Sequence, residues 1–275
     1  MPVIETKKLS DKVGVEVLDA DADRLINDPD IPAACMDALE HNGVLLFREL
    51  HLTDAEQVAF CRRLGDLVLF PKYEVPEVMV ISFEPDNPNR RYFESNDYWH
   101  LDGFLDPIPA RASIMSAHIT AEKGGETAFA STYAAYDALS DDEKDEFEKL
   151  RVVHSMASIQ RRGHPNPTEE QEANWARVPT REHPLVWNHE TGRKSLVIGA
   201  NADRVVDMDL DAGRKLLLDL EERATAPDLV YKHTWSVGDL VIWDNCGLLH
   251  RACEFDRNKP RRMHRSTLVG HEPIK

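Results

Sequence analysis

Cysteine is scarce in this chain: four residues among 275, at Cys35, Cys61, Cys246 and Cys253, with no CxxC pair. That argues against a disulfide scaffold or a cysteine-rich zinc module, and it suits reduced thiols in a chain large enough to need no staples. Glycine and proline number 13 and 16, too few for a fibrous or low-complexity chain. Long apolar runs are missing. Segments such as Gly43–Phe47 fall far short of the roughly 20 residues that cross a bilayer. The stretch Met1–Lys8 lacks the apolar core of a signal peptide. Basic residues are outnumbered, 33 Lys and Arg against 49 Asp and Glu, which leaves a net charge of −16. Phosphate backbones and anionic lipid repel such a surface, so neither nucleic acid nor membrane is an expected partner. The expectation is a soluble cytoplasmic protein.

What is present reads as one domain over residues 1–275, with no internal repeat and no clean linker. Asp30-Ile-Pro32 opens a helix that stops at Asn42-Gly43. Val44–Phe47 follows as a buried strand. Thr53 with Glu56, and Ser140 with Glu143, have the spacing of capping boxes. Val78–Ser82, Ala112–His118 and Thr127–Phe129 read as strands, and Glu84–Arg91 as a loop. Ala157–Arg181 is polar and proline-bearing, and is expected to be irregular, a surface insertion or a lid. Leu185–Ile198 reads as a hairpin, Leu210–Glu222 as an amphipathic helix, and Leu229–Tyr231, Leu240–Trp243 and Thr267–Val269 as closing strands.

The chemistry concentrates at Tyr98-Trp-His-Leu-Asp-Gly103. On an extended strand, residues two apart share a face, so His100 and Asp102 can bind one cation together. An HxD pair alone is weak evidence. His250, after the apolar strand ending near Trp243, is the candidate third ligand. Two histidines and a carboxylate leave three positions of an octahedron open, the arrangement of non-haem Fe(II) oxygenases. A 2-oxo acid chelating that iron carries a second carboxylate, and burying it requires a fixed cation and hydrogen-bond donors. Arg261 and Arg265 share strand parity and are expected to point inward, while Thr127 offers a hydroxyl from another strand.

These residues resemble the taurine/2,4-dichlorophenoxyacetate dioxygenase family of Fe(II)- and 2-oxoglutarate-dependent oxygenases. The resemblance runs through Trp99-His-Leu-Asp102, Gly124-Gly-Glu-Thr127, Tyr133–Leu139, Trp243-Asp-Asn245 to His250, and Arg261-Arg-Met-His-Arg265. It implies a double-stranded β-helix, a jelly-roll barrel of the cupin kind with helices packed outside. It further implies that His100, Asp102 and His250 bind Fe(II), that Thr127 and Arg261 hold the distal carboxylate of 2-oxoglutarate, and that Arg265 sits nearer the iron, contacting co-substrate or an anionic substrate. O2 is the second co-substrate, and a homo-oligomer is the common assembly. Asn96 matches a polar position of the family's substrate pocket, and Gly103 either admits substrate to the backbone or relaxes a bend.

One departure is informative. Phe70 stands where taurine-specific members carry a sulfonate-gripping histidine, with Tyr73 retained nearby. The expected substrate is therefore a small organic acid with an apolar or aromatic body, hydroxylated as 2-oxoglutarate becomes succinate and CO2. Taurine or another alkylsulfonate is the alternative. A zinc hydrolase on the same His/Asp/His set would have no use for Arg261 or Thr127. A metal-free jelly roll acting as a binding module would leave the inward polar groups without purpose.

Overall fold

A computed structural model describes residues 4–87, 89, 90 and 92–275. Pro88 and Arg91 of the expected loop, and the first three residues of the N-terminal stretch, lie outside them. In chain order the strands are β1 (Thr6–Lys8), β2 (Val15–Val17), β3 (Val44–Phe47), β4 (Met79–Ser82), β5 (Ala112–Ile119), β6 (Thr127–Ser131), β7 (Arg151–His154), β8 (Arg181–Pro184), β9 (Val186–Asn188), β10 (Lys194–Leu196), β11 (Ala202–Val205), β12 (Val230–His233), β13 (Leu240–Asp244), β14 (Leu248–Ala252) and β15 (Arg262–Thr267). A two-turn 3-10 helix spans Tyr92–Asp97. The helices are α1 (Ala22–Asn27), α2 (Ile31–Asn42), α3 (Asp54–Leu64), α4 (Thr132–Asp137), α5 (Asp141–Phe147), α6 (Met156–Gly163), α7 (Glu169–Ala176) and α8 (Leu210–Ala224).

A seven-stranded sheet in the order β1-β2-β3-β13-β5-β15-β4 faces a three-stranded sheet, β12-β6-β14. The large sheet reads as continuous apolar segments because both its faces are covered. Leu45, Phe47, Ile114, Leu240 and Ile242 pack beneath α1–α3, against Leu25, Cys35, Leu39, Phe60 and Cys61. The alternate residues Val44, Leu46, Met115, Val241, Trp243 and Met263 turn the other way and meet Phe129 of β6 and Leu248 of β14. This is the expected jelly roll, with helices outside. Leu249, on the outer face of β14, joins a further core with α4, α5 and α8. Among the described residues no helix is long and apolar enough to cross a membrane.

Three local expectations are corrected. The segment 157–181 is not irregular: it carries most of α6 and all of α7, linked by the Arg161–Glu172 ion pair at 2.6 Å. Helix α7 buries none of its residues, so it has no apolar period to betray it. The last strand begins at Arg262, not Thr267, which makes Arg265 a mid-strand residue. His100 and Asp102 do not share a strand. His100 makes an isolated bridge with His250, and Asp102 lies in the turn that follows.

Candidate active site

His100 and His250 are brought together by backbone. Each donates its N–H to the other's carbonyl at 3.1 Å, and this pins the Trp99–His100 segment against β14. Their rings lie 4.2 Å apart. The Nδ1 of His100 is 2.7 Å from the carbonyl of Tyr98, and a proton donated there leaves Nε2 with its lone pair free. Asp102 enters from a turn that needs a glycine next to it. Gly103 has φ of +77°, and a Cβ there would stand 3.0 Å from Pro109 and Ala110. The glycine thus serves the bend.

The carboxylate sits between the imidazoles. Its Oδ1 is 3.7 Å from His100 Nε2, and its Oδ2 is 3.7 Å from His250 Nε2. Both gaps are too long for hydrogen bonds, so two nitrogens and an oxygen converge on space that an ion can fill. Burial would raise the Asp102 carboxyl, but the Arg265 guanidinium and the two imidazoles outweigh it and hold the group at about 2. Arg265 Nη1 donates to Oδ2 at 3.0 Å. Burial, aided by His100, pushes His250 down to about 3, which keeps that ring neutral and able to ligate. The indole of Trp243, itself 1% exposed, backs His250 at 5.0 Å between ring centres. A charged carboxylate and two buried imidazoles form the donor set that suits Fe(II).

A second part of the site lies where β6 begins. Arg261 is 7% exposed. Its Nη2 donates to the carbonyl of Gly125 at 3.1 Å, and its guanidinium stacks over Phe255. Burial lowers it to about 10, so it stays charged at neutral pH. Among the described residues no carboxylate forms an ion pair with it. Two residues beyond Gly125, the Thr127 hydroxyl accepts from Trp235 Nε1 at 3.0 Å and so keeps its own proton for another acceptor.

The structure therefore joins His100, Asp102, His250 and Arg265 by direct contact, and sets Arg261 and Thr127 around one short segment. Phe70 and Tyr73 belong to the loop before β4, where Phe70 N–H donates to the Pro76 carbonyl at 2.6 Å. Tyr73 accepts from Asn89 at 2.8 Å and lines a cleft with Asp54, Val80 and His264. Asn96 is half-buried in the 3-10 helix. Three positioning groups escaped the sequence reading. Trp235 orients Thr127, and Asn245 donates at 3.1 Å to Ser113, whose hydroxyl reaches Asp102 at 3.5 Å. Trp235 and Asn245 act across more than 100 residues of sequence and Ser113 across a loop of 11, so no regular spacing announces them.

Comparison with known proteins agrees with this geometry. The profile described as "Taurine catabolism dioxygenase TauD, TfdA family" matches residues 5–267. The chain is 35% identical to the (S)-phenoxypropionate/alpha-ketoglutarate-dioxygenase of Sphingobium herbicidovorans, over 83% of this chain and 82% of that one. It is also 35% identical to the alpha-ketoglutarate-dependent 2,4-dichlorophenoxyacetate dioxygenase of Cupriavidus pinatubonensis, over 84% and 86% respectively. Among solved structures, that of AAD-2 in complex with Mn(II) and N-oxalylglycine superposes with a TM-score of 0.85 at 32% identity, covering 99% of this chain and 100% of that one.

Proposed function

The chain belongs to the TauD/TfdA family of dioxygenases, and from that premise we propose that residues 1–275 form one catalytic unit that hydroxylates a small organic acid with an apolar or aromatic body. Fe(II), 2-oxoglutarate and O2 are its cofactor and co-substrates. His100, Asp102 and His250 hold the iron, which when bound couples reduction of O2 to decarboxylation of 2-oxoglutarate and so supplies the oxidising power. The protein's own part is to bind, orient and exclude water. Arg261 and Thr127 receive the distal carboxylate. Arg265 keeps Asp102 ionised and presents positive charge beside the metal, where a carboxylate of co-substrate or substrate is drawn.

The observation that carries this reading is Arg261, a buried guanidinium left without a carboxylate while a three-ligand metal site stands in the same barrel. A zinc hydrolase has no use for it. For the substrate, the support is the pair of relatives named for phenoxy acids, together with Phe70, which has no donor to offer a sulfonate. When the hydroxylated carbon bears an aryl ether oxygen, the hydroxylated product collapses to an aldehyde or ketone as the C–O bond breaks and a phenol leaves. A cytoplasmic location, in keeping with the free thiols, and a homo-oligomeric assembly, which the family resemblance implies, complete the proposal.

Two measurements test it. Anaerobic Fe(II) plus 2-oxoglutarate should give a visible charge-transfer band, which a zinc enzyme or binding module would not show. Succinate formation should then follow substrate loss in a panel of aryloxyalkanoates, long alkyl sulfonates, sulfate esters and taurine. The aryloxyalkanoates should lead taurine in kcat/KM by about ten- to a hundredfold, the worth of about 1–3 kcal/mol for a polar group forced against an apolar wall. Taurine leading would overturn the reading of Phe70.

A further inference from the structure

A second set of two histidines and a carboxylate lies on the opposite face of the large sheet. Asp54 is the first residue of α3, behind its Thr53 cap, and His264 belongs to β15. His118 lies on β5 where the register with β15 skips a residue: Arg262 pairs with Ile119 and Met263 with Ala117, which leaves His118 without a cross-strand partner. Such irregularities re-aim side chains and recur beside functional sites. Here the two imidazoles meet at 3.7 Å, with 20° between their planes. Asp54 Oδ1 stands 2.6 Å from His264 Nδ1 and 3.9 Å from His118 Nε2, and all three donor atoms lie within 4.8 Å of one another. His264 Nε2 is buried and has no hydrogen-bond partner. Met263 and Arg265 point to the other face, so this cluster touches none of the residues around Asp102. Asp54 and His264 form part of the wall of a cleft of about 480 Å³.

We propose that Asp54, His118 and His264 form a second site, for a divalent transition-metal ion of the zinc or cobalt kind, with a fourth position open to the cleft. Two imidazoles and one carboxylate favour such ions over magnesium or calcium. The ion takes the place of the proton between Asp54 and His264 Nδ1, and that proton passes to Nε2 of the same ring, which has no partner, so the imidazole stays neutral. The ion parts that pair from 2.6 Å to about 3.3 Å, the edge of a tetrahedron with bonds of about 2.0 Å. His118, half-exposed, turns out of the stack to aim Nε2 at the ion.

Cobalt(II) is the probe, added without oxygen to the full-length enzyme in the presence of 2-oxoglutarate and counted by equilibrium dialysis. Wild type should hold two ions per chain, and His118→Gln and Asp54→Asn one each. Asp102→Ala should also hold one and retain the strong visible absorption of four-coordinate cobalt, which His118→Gln should lack. Iron-dependent turnover of His118→Gln should remain within twofold of wild type. One ion in wild type, or a second ion kept by both His118→Gln and Asp54→Asn, would overturn the site.

Discussion

Arg261 shows how much a single side chain can commit a fold to a ligand. A guanidinium buried against one carbonyl and an aromatic ring is costly unless an anion joins it. Removing one partner of a buried ion pair costs about 3–5 kcal/mol. Arg261→Ala should therefore raise the KM for 2-oxoglutarate by two to three orders of magnitude, measured by succinate release at saturating substrate. Trp235→Phe deletes only the donor that fixes the Thr127 hydroxyl. About 1 kcal/mol, or roughly a fivefold rise in the same KM, is expected. Asp102→Ala removes one of the three proposed ligands and should abolish turnover while leaving the thermal transition cooperative, since the cores are built from apolar residues elsewhere. Normal turnover by that variant would refute the ligand assignment.

At the scale of elements, the capping boxes at Thr53–Glu56 and Ser140–Glu143 form as their spacing predicts, hydroxyl to backbone and carboxylate back to backbone. Ser140→Ala should cost about 1 kcal/mol in denaturant unfolding and leave kcat unchanged, because α5 lies far along the chain from every ligand. The same device opens α7, but with Thr168 and Gln171, and without a buried residue the helix has no apolar stripe to mark it in the sequence. Strand β15 was legible only at its end for the opposite reason. Arg262, His264 and Arg265 interrupt its apolar pattern because charged work is done on both its faces. The proposed metal ligands are legible in the sequence because their residue types are chemically narrow, although strand alternation is not what pairs His100 with Asp102. A bridge and a turn, not a shared strand, bring them together.

For the whole molecule, the buried histidines set the acid limit. His154 is fully buried, neither ring nitrogen has a hydrogen-bond partner, and burial with His183 beside it pushes the group down to about 3. In the unfolded chain it takes a proton near 6.5. Between those values the unfolded state binds the proton that the folded state refuses, so stability is full above about pH 6.5 and drains away as pH falls towards 3. Asp102, held at about 2 against an ordinary value of 3.8, withdraws its own contribution as pH falls from about 3.8 to 2, at the acid end of that range. His154→Leu should flatten the dependence of unfolding free energy on pH between 6.5 and 4 by about one proton. An unchanged slope in urea titrations would show that His154 charges freely in the native state.

The alternation along β15 also bears on how this chain can change over time. Met263 and Arg265 face the interior where Asp102 and His250 lie, while Arg262 and His264 turn the other way, to Glu84 and to Asp54 of helix α3. Because side chains alternate strictly, losing one residue from this strand would exchange the two sets, sending Arg265 to the helix and His264 to the metal. Substitutions can accumulate there, but single-residue changes of length cannot. Gene drift in this protein should therefore be written into β15 as spelling, and into connections such as 164–168 as length. A library of one-residue deletions scanned along the chain should find activity extinguished throughout 262–267 and surviving in 164–168, between α6 and α7.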